Sequence, residues 1–261
     1  FGNDWIVFNG QGLYQNLELD LGIGYYLALS HNSTLSIDGD PITSDNLELA
    51  DIELSKGWNL ISHPLTSIVD KETLIIIDDG QEYVWDDAVY WGLISPTLYS
   101  WSNDSYQSLN ELTPWSGFWV HTSRNLTVQI RPHLPSDGSA RVEDNMWSMN
   151  LSATPTDGLS GGDFVQIGLK DGANDGFTYG EDEFDHPNPI RSDFIDLHID
   201  RYDWVGDSDS HGIMVESPYF AQEVRSYAGS DDVQIWNISA DVYNVPGDIR
   251  LSWDMINDID A

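Results

Sequence analysis

Apolar and polar residues alternate with a period of two along much of the chain. Leu126-Thr127-Val128-Gln129-Ile130, Phe194-Ile195-Asp196-Leu197-His198-Ile199-Asp200 and Val233-Gln234-Ile235-Trp236-Asn237-Ile238 are the clearest runs. Such alternation puts successive side chains on opposite faces of a strand. Asn9-Gly10, Asp79-Gly80, Asp137-Gly138 and Asp175-Gly176 punctuate the runs as turn dipeptides. No stretch keeps an apolar period of 3.6 for long, and 66–73 is the strongest helical segment. The pattern predicts an all-β protein of tandem β-sandwich domains, Ig-like or jelly-roll-like, with little helix.

An internal repeat sets the domain plan. Tyr14-Gln15-Asn16-Leu17, Gly24-Tyr25-Tyr26-Leu27 and Asn32 match Tyr106-Gln107-Ser108-Leu109, Gly117-Phe118-Trp119-Val120 and Asn125. The second copy has a front half, Ile52-Glu53-Leu54 and Lys56 to Leu65, that the first lacks. The expected plan is half a β-module over 1–48 (repeating 98–131), a sandwich over 49–133, a linker over 134–144, a second sandwich over 145–256 and a tail over 257–261. The second sandwich is expected to open with a strand over 146–153 and close with one over 248–254.

Charge narrows the partners. The 261 residues carry 44 acids (33 Asp, 11 Glu) and 10 bases (7 Arg, 3 Lys), a net charge of −34. Nucleic acid and anionic membrane surfaces both need a cationic footprint, so neither is expected as a partner. The longest aliphatic run, Leu74-Ile75-Ile76-Ile77, is far below the ~20 residues of a spanning helix, so no membrane insertion is expected. With no cysteine, thiolate catalysis and disulfide frameworks are excluded. The surplus of Asp suits either a halophilic surface or calcium binding.

Lys-Gly-Trp-Asn-Leu-Ile-Ser-His-Pro-Leu (56–65), Ile94-Ser95-Pro96-Thr97-Leu98-Tyr99 and Pro114-Trp115-Ser116-Gly117-Phe118-Trp119-Val120 together resemble a β-module of large secreted bacterial surface proteins. Those proteins often leave by type IX secretion. The stretch 147–254, with Asp171-Gly172-Ala173-Asn174-Asp175-Gly176 and Leu251-Ser252-Trp253, resembles the module that often follows. The resemblance implies a prokaryotic, extracellular or cell-surface setting. No sorting domain is expected within these residues, and the shared motifs are packing and turn residues, so the resemblance implies architecture more than activity.

The densest acidic constellation offers Asp171, Asp175, Glu181, Asp182, Glu183 and Asp185 as calcium ligands, because Ca²⁺ takes 6–8 hard oxygens from a turning backbone. Its spacing is not that of an EF-hand, and a plain solvated acidic loop is the competing reading. Asp196, His198 and Asp200 share one strand face and could hold a transition metal, or be the wet side of a half-buried strand. His63 reads as a turn residue. Trp85, Trp91, Trp101 and Trp115 lie in turn-rich stretches and are candidates for stacking on a polysaccharide, against the alternative that they plug the cores. Sequons at Asn32, Asn103, Asn125, Asn150 and Asn237 are candidate glycosylation sites.

Catalytic signatures are missing: no Gly-x-Ser-x-Gly, no His-Glu-x-x-His, no phosphate loop. With 44 acids, a glycosidase-like carboxylate pair carries no information. The expected function is therefore non-enzymatic: an extracellular structural or adhesive protein of a cell-surface or filamentous assembly, self-associating or joining a neighbouring surface protein through β-edges. The half-module at 1–48 suggests completion by strand addition from another chain. The alternative is a carbohydrate-binding accessory region of a secreted hydrolase.

Overall fold

A computed structural model describes residues 20–26, 51–65, 68–114, 116–130, 146–227 and 233–257. Of the described residues, 52% are strand and 6% helix. The expected linker at 134–144, most of the half-module at 1–48, Asn32 and Trp115 fall outside the described residues.

The first module stacks two four-stranded sheets. Strands β1 (Asp51–Leu54), β10 (Leu126–Ile130), β4 (Leu74–Asp78) and β5 (Gln81–Val84) form one, in that order. Strands β2 (Gly57–Ser62), β9 (Gly117–Thr122), β6 (Leu98–Ser102) and β7 (Ser105–Leu109) form the other. A short pair, β3 (Val69–Asp70) with β8 (Glu111–Leu112), closes one end. The period of two works as read: Leu126, Val128 and Ile130 enter the core with Ile52, Leu74, Ile76 and Phe118. The outward Thr127 and Gln129 instead donate to Glu53 and Asp51 across the β1–β10 pair. Asp79 and Gly80 both adopt positive φ, 48° and 80°, in the two-residue hairpin between β4 and β5.

Helix falls elsewhere than expected. Within the expected segment 66–73, the described residues give β3 and then a single 3-10 turn, Lys71–Thr73. The α-helix α1 is Trp85–Tyr90, where Asp86 and Asp87 complement the N-terminal turn and Trp85 with Ala88, three apart, share the buried face.

The second module is a seven-stranded mixed sheet in the order β16 (Ile238–Tyr243), β14 (Phe194–Asp200), β15 (Tyr219–Ser226), β12 (Asp163–Lys170), β11 (Met146–Pro155), β17 (Ile249–Asn257), with β13 (Glu183–Phe184) also on β15. Among the described strand pairs of this sheet, only β12 and β15 run parallel. Val165, Ile167, Ile195, Leu197, Ile199 and Phe220 give the sheet its apolar face, and Phe177, Tyr179, Trp204, Ile213 and Val215 cover it from the connections. The run at 233–238 is not a strand over its length, because β16 begins at Ile238. Val233 and Ile235 are strongly exposed, while the partly buried Trp236 lies beneath Arg225, 4.7 Å from the ring centre.

In the repeat, Ile23 makes an antiparallel bridge to Ile61 on the free edge of β2. Gly24 and its repeat equivalent Gly117 therefore approach Leu60 and Ile61 from opposite edges of the same strand. A Cβ on Gly24 would lie 2.5 Å from Leu60 Cγ, so the close approach requires glycine. The equivalent aromatics also meet: Trp119 Nε1 donates to Tyr26 Oη at 3.1 Å.

Candidate functional site

The sheet β2-β9-β6-β7 is apolar on both faces. Its outer face carries Trp58, Leu60, Tyr99, Trp101, Tyr106 and Trp119, which pack together with Phe164 of the second module. Strands buried on both sides read as near-continuous apolar runs, as Gly-Phe-Trp-Val in β9 does. The acidic loop between β12 and β14 supplies much of the covering layer. Trp58 Nε1 donates to the Asp185 carbonyl at 2.9 Å, and Thr97 Oγ1 to Glu183 Oε1 at 2.6 Å. Tyr99 donates to the other Glu183 oxygen, and Tyr106 to the Pro187 carbonyl. Burial and the neighbouring Glu183 carboxylate hold the Tyr99 phenol well above its usual range. His121 Nδ1 lies 2.9 Å from Tyr179 Oη, and burial together with Lys56 pushes its imidazole down to about 3.

The proposed calcium ligands do not converge. Asp175 accepts from the Ser226 N–H, Glu181 pairs with Lys170 at 3.0 Å, and Asp182 accepts from Thr178 and Val224 N–H. Glu183 is turned into the module boundary, and Asp171 is exposed. Of the six, only Asp185 joins a three-residue cluster of ligand-type groups among the described residues. Backbone N–H groups are poor neighbours for a cation, and they are what fixes Asp175 and Asp182 here.

Asp185 instead enters a polar gap in the sheet. Gly161 bridges Phe194 at the start of β14, whereas further along β15 comes between β12 and β14. Asp163, Asp185, His186, Asp196 and His198 fill the space where the strands part. Asp163 accepts from the Phe164 N–H at one oxygen and the Leu197 N–H at the other, and stands 3.3 Å from His186 Nδ1. His186 is packed among Tyr99, Tyr106, Trp58 and Phe164. His198, only 3% exposed, lies between Asp196 (Nδ1 to Oδ1, 3.6 Å) and Asp200 (Nε2 to Oδ1, 3.5 Å). The strand face expected to be wet is thus covered at its centre. Burial opposes a charge on His198, but Asp196, Asp200 and Asp241 raise its basicity above the usual value. Burial, then Asp196 and Asp163, holds the Asp185 carboxyl well above the carboxylate range.

The other sequence candidates scatter. Trp85, one of the stacking candidates, is 2% exposed and follows the alternative reading: it plugs the first core, because α1 turns it inward. Trp101 packs edge-on against Tyr106. Trp91 is open to solvent beside Tyr90, at an interplanar angle of 81°. Asn103 and Asn125 are exposed in turns, and Asn237 is exposed in an open groove of about 720 Å³ that Asp200, Tyr202, Asp203 and Trp236 also line. Asn150 sits mid-strand in β11 with Oδ1 buried. His63 is buried, and its Nδ1 faces the Leu65 N–H at 3.4 Å. Asp163 and His186 were not singled out in the sequence; the His-Pro step inside an acidic run was their one visible signal.

The last feature is the pair of sheet edges. Among the described residues, strand β17 pairs only with β11, and Leu251, Trp253 and Met255 are 55%, 66% and 62% exposed. At the opposite edge, β16 pairs, among the described residues, only with β14 and exposes Val242 and Tyr243. Comparison with family models, with curated proteins and with solved structures finds no match to this chain.

Proposed function

We propose that the chain is a non-enzymatic extracellular structural segment that builds a cell-surface or filamentous assembly through β-edge contacts. The observation that carries this reading is β17: a nine-residue edge strand presenting Leu251, Trp253 and Met255 outward. Long, flat, apolar edges are normally blunted or covered, because unpaired N–H and C=O groups recruit another strand. The occupant we assign is β16 of a second copy. Among the described residues both are edges of one sheet, so their pairing is heterologous and extends that sheet without closing on itself. The strong negative charge keeps such a segment soluble until edges meet.

Light scattering of the full chain against concentration tests this. Growth into ordered fibres, with the strand content preserved, is the expected result. A monomer at every concentration overturns it. The surface setting and the export route belong to the same proposal and rest on the sequence resemblance alone.

A second reading, a polysaccharide-binding accessory region, draws support from the exposed Trp91 and Tyr90. It requires saturable glycan binding that Trp91→Ala abolishes, with no polymer formed.

A further inference from the structure

We propose that Asp185, Asp196 and His198 form a binding site for one divalent transition-metal ion, with Asp200 as the orienting partner of His198. The ligand-capable atoms of these three residues lie within 4.8 Å of one another. Two atoms in the cluster are buried and unpartnered: His198 Nδ1 and Asp185 Oδ1. An orphaned polar atom in a closed site costs about 1–3 kcal/mol unless something satisfies it, so each needs an explanation. His198 Nδ1 stands 3.6 Å from Asp196 Oδ1, too far for a hydrogen bond. It is close to the spacing of two ligands on one ion, about 3.0–3.4 Å for bonds of about 2.1 Å at octahedral to tetrahedral angles.

The surroundings choose the position of the ion. Asp163 and His186 make a second triad with Asp185, but both Asp163 oxygens already accept backbone N–H groups, and His186 Nδ1 faces Asp163. That pair braces the site from the side of the first module. On the far side of His198, Nε2 faces Asp200 Oδ1 at 3.5 Å, and a small closing of that gap would give the carboxylate–histidine arrangement that fixes a ligand's tautomer. Ser239 Oγ donates to the other Asp200 oxygen and holds that carboxylate in place.

Charge agrees with the geometry. No lysine or arginine among the described residues pairs with Asp163, Asp185 or Asp196. Two carboxylates and one neutral imidazole around a 2+ ion sum to zero. The mixed nitrogen and oxygen donors suit zinc, cobalt or manganese and disfavour calcium. Asp196 and Asp200 keep 13% and 18% of their side chains exposed, which leaves a path for the ion.

The test is calorimetric titration of the chelator-stripped full chain with Zn²⁺, in physiological salt and excess Mg²⁺ to saturate the surface acids. One equivalent is expected, with a rise in Tm. Asp185→Asn and His198→Gln should each weaken binding by more than about 100-fold, and Asp200→Asn by about 10–100-fold. Co²⁺ should give a ligand-field spectrum that His198→Gln changes. The inference is overturned if wild type takes up no stoichiometric Zn²⁺, or if the variants bind it as well as wild type. If Asp185→Asn raises the Tm of the stripped chain while Zn²⁺ changes neither protein, the cluster holds a shared proton, and the metal assignment is wrong.

Discussion

Trp58, in the second strand of the first module, donates its indole N–H to the backbone carbonyl of Asp185 in the acidic loop of the second. One side chain thereby ties an aromatic sheet face to the segment that lines the polar gap. The same boundary holds Tyr99 and Thr97 on Glu183 and Tyr106 on the Pro187 carbonyl. The two modules are expected to unfold together because of it.

Removing these donors should weaken the boundary by graded amounts. Trp58→Phe takes away one neutral hydrogen bond, and a loss of about 0.5–1.5 kcal/mol is expected. Tyr99→Phe leaves the 3%-exposed Glu183 with one donor fewer and should cost more, about 1–3 kcal/mol. Differential scanning calorimetry reads both. Two separated transitions in wild type would contradict the coupling.

Gly24→Ala should detach the short edge formed at 22–24. The added Cβ would meet Leu60 Cγ at 2.5 Å and the Ile61 carbonyl at 2.9 Å, and the latter is backbone that cannot rotate away. The Ser62 amide, which donates to the Gly22 carbonyl, should then exchange its hydrogen much faster. Unchanged protection of that amide would refute the contact.

Tryptophans separated by burial should separate by cost. Trp85→Ala opens a cavity in the first core and should destabilise by about 3–5 kcal/mol. Trp91→Ala, at an exposed position, should stay within about 0.5 kcal/mol. Urea unfolding of the two variants distinguishes them, and equal midpoints would contradict the packing described.

His121 sets an acid limit. Its folded value of about 3 lies below the unfolded value near 6.5, so the folded state disfavours the proton. Its contribution is complete above pH 6.5. Below that pH the unfolded chain binds a proton that the folded chain refuses, and stability falls by up to about 1.4 kcal/mol per pH unit toward pH 3. His121→Gln should flatten this part of the stability profile relative to wild type. Parallel profiles for the two proteins would exclude the effect.

Legibility followed dimensionality. A period of two assigns faces, so Leu126, Val128 and Ile130, and Leu197 with Ile199, were readable as core. It does not say whether another layer lies over the second face. His198 was therefore open to being read as wet, although Tyr219 packs against its ring at 4.3 Å and Asp196 and Asp200 flank it. The apolar character of both faces of β2 and β9 was the sequence sign that their outer side is covered, through Trp58, Leu60 and Trp119. The acids at 171–185 were visible as a cluster only along the chain. In space they separate: Asp175 and Asp182 accept backbone N–H groups, Glu181 pairs with Lys170, and Glu183 accepts hydroxyls from the first module. Nothing local marks Asp163 as a neighbour of Asp185, because a sheet gap formed by strands distant in sequence brings them together.

The most direct test of assembly through unlike edges is a mixing experiment. The variant Leu251→Lys/Trp253→Lys should not extend from its own β17, yet it keeps β16 intact and should dock on the β17 edge of wild type. Sedimentation velocity of wild type with a small fraction of this variant is expected to show assemblies shortened well beyond the fraction added, with the variant alone monomeric. Wild-type sedimentation as a single 29.3 kDa species, or assemblies whose length ignores the variant, would contradict the account.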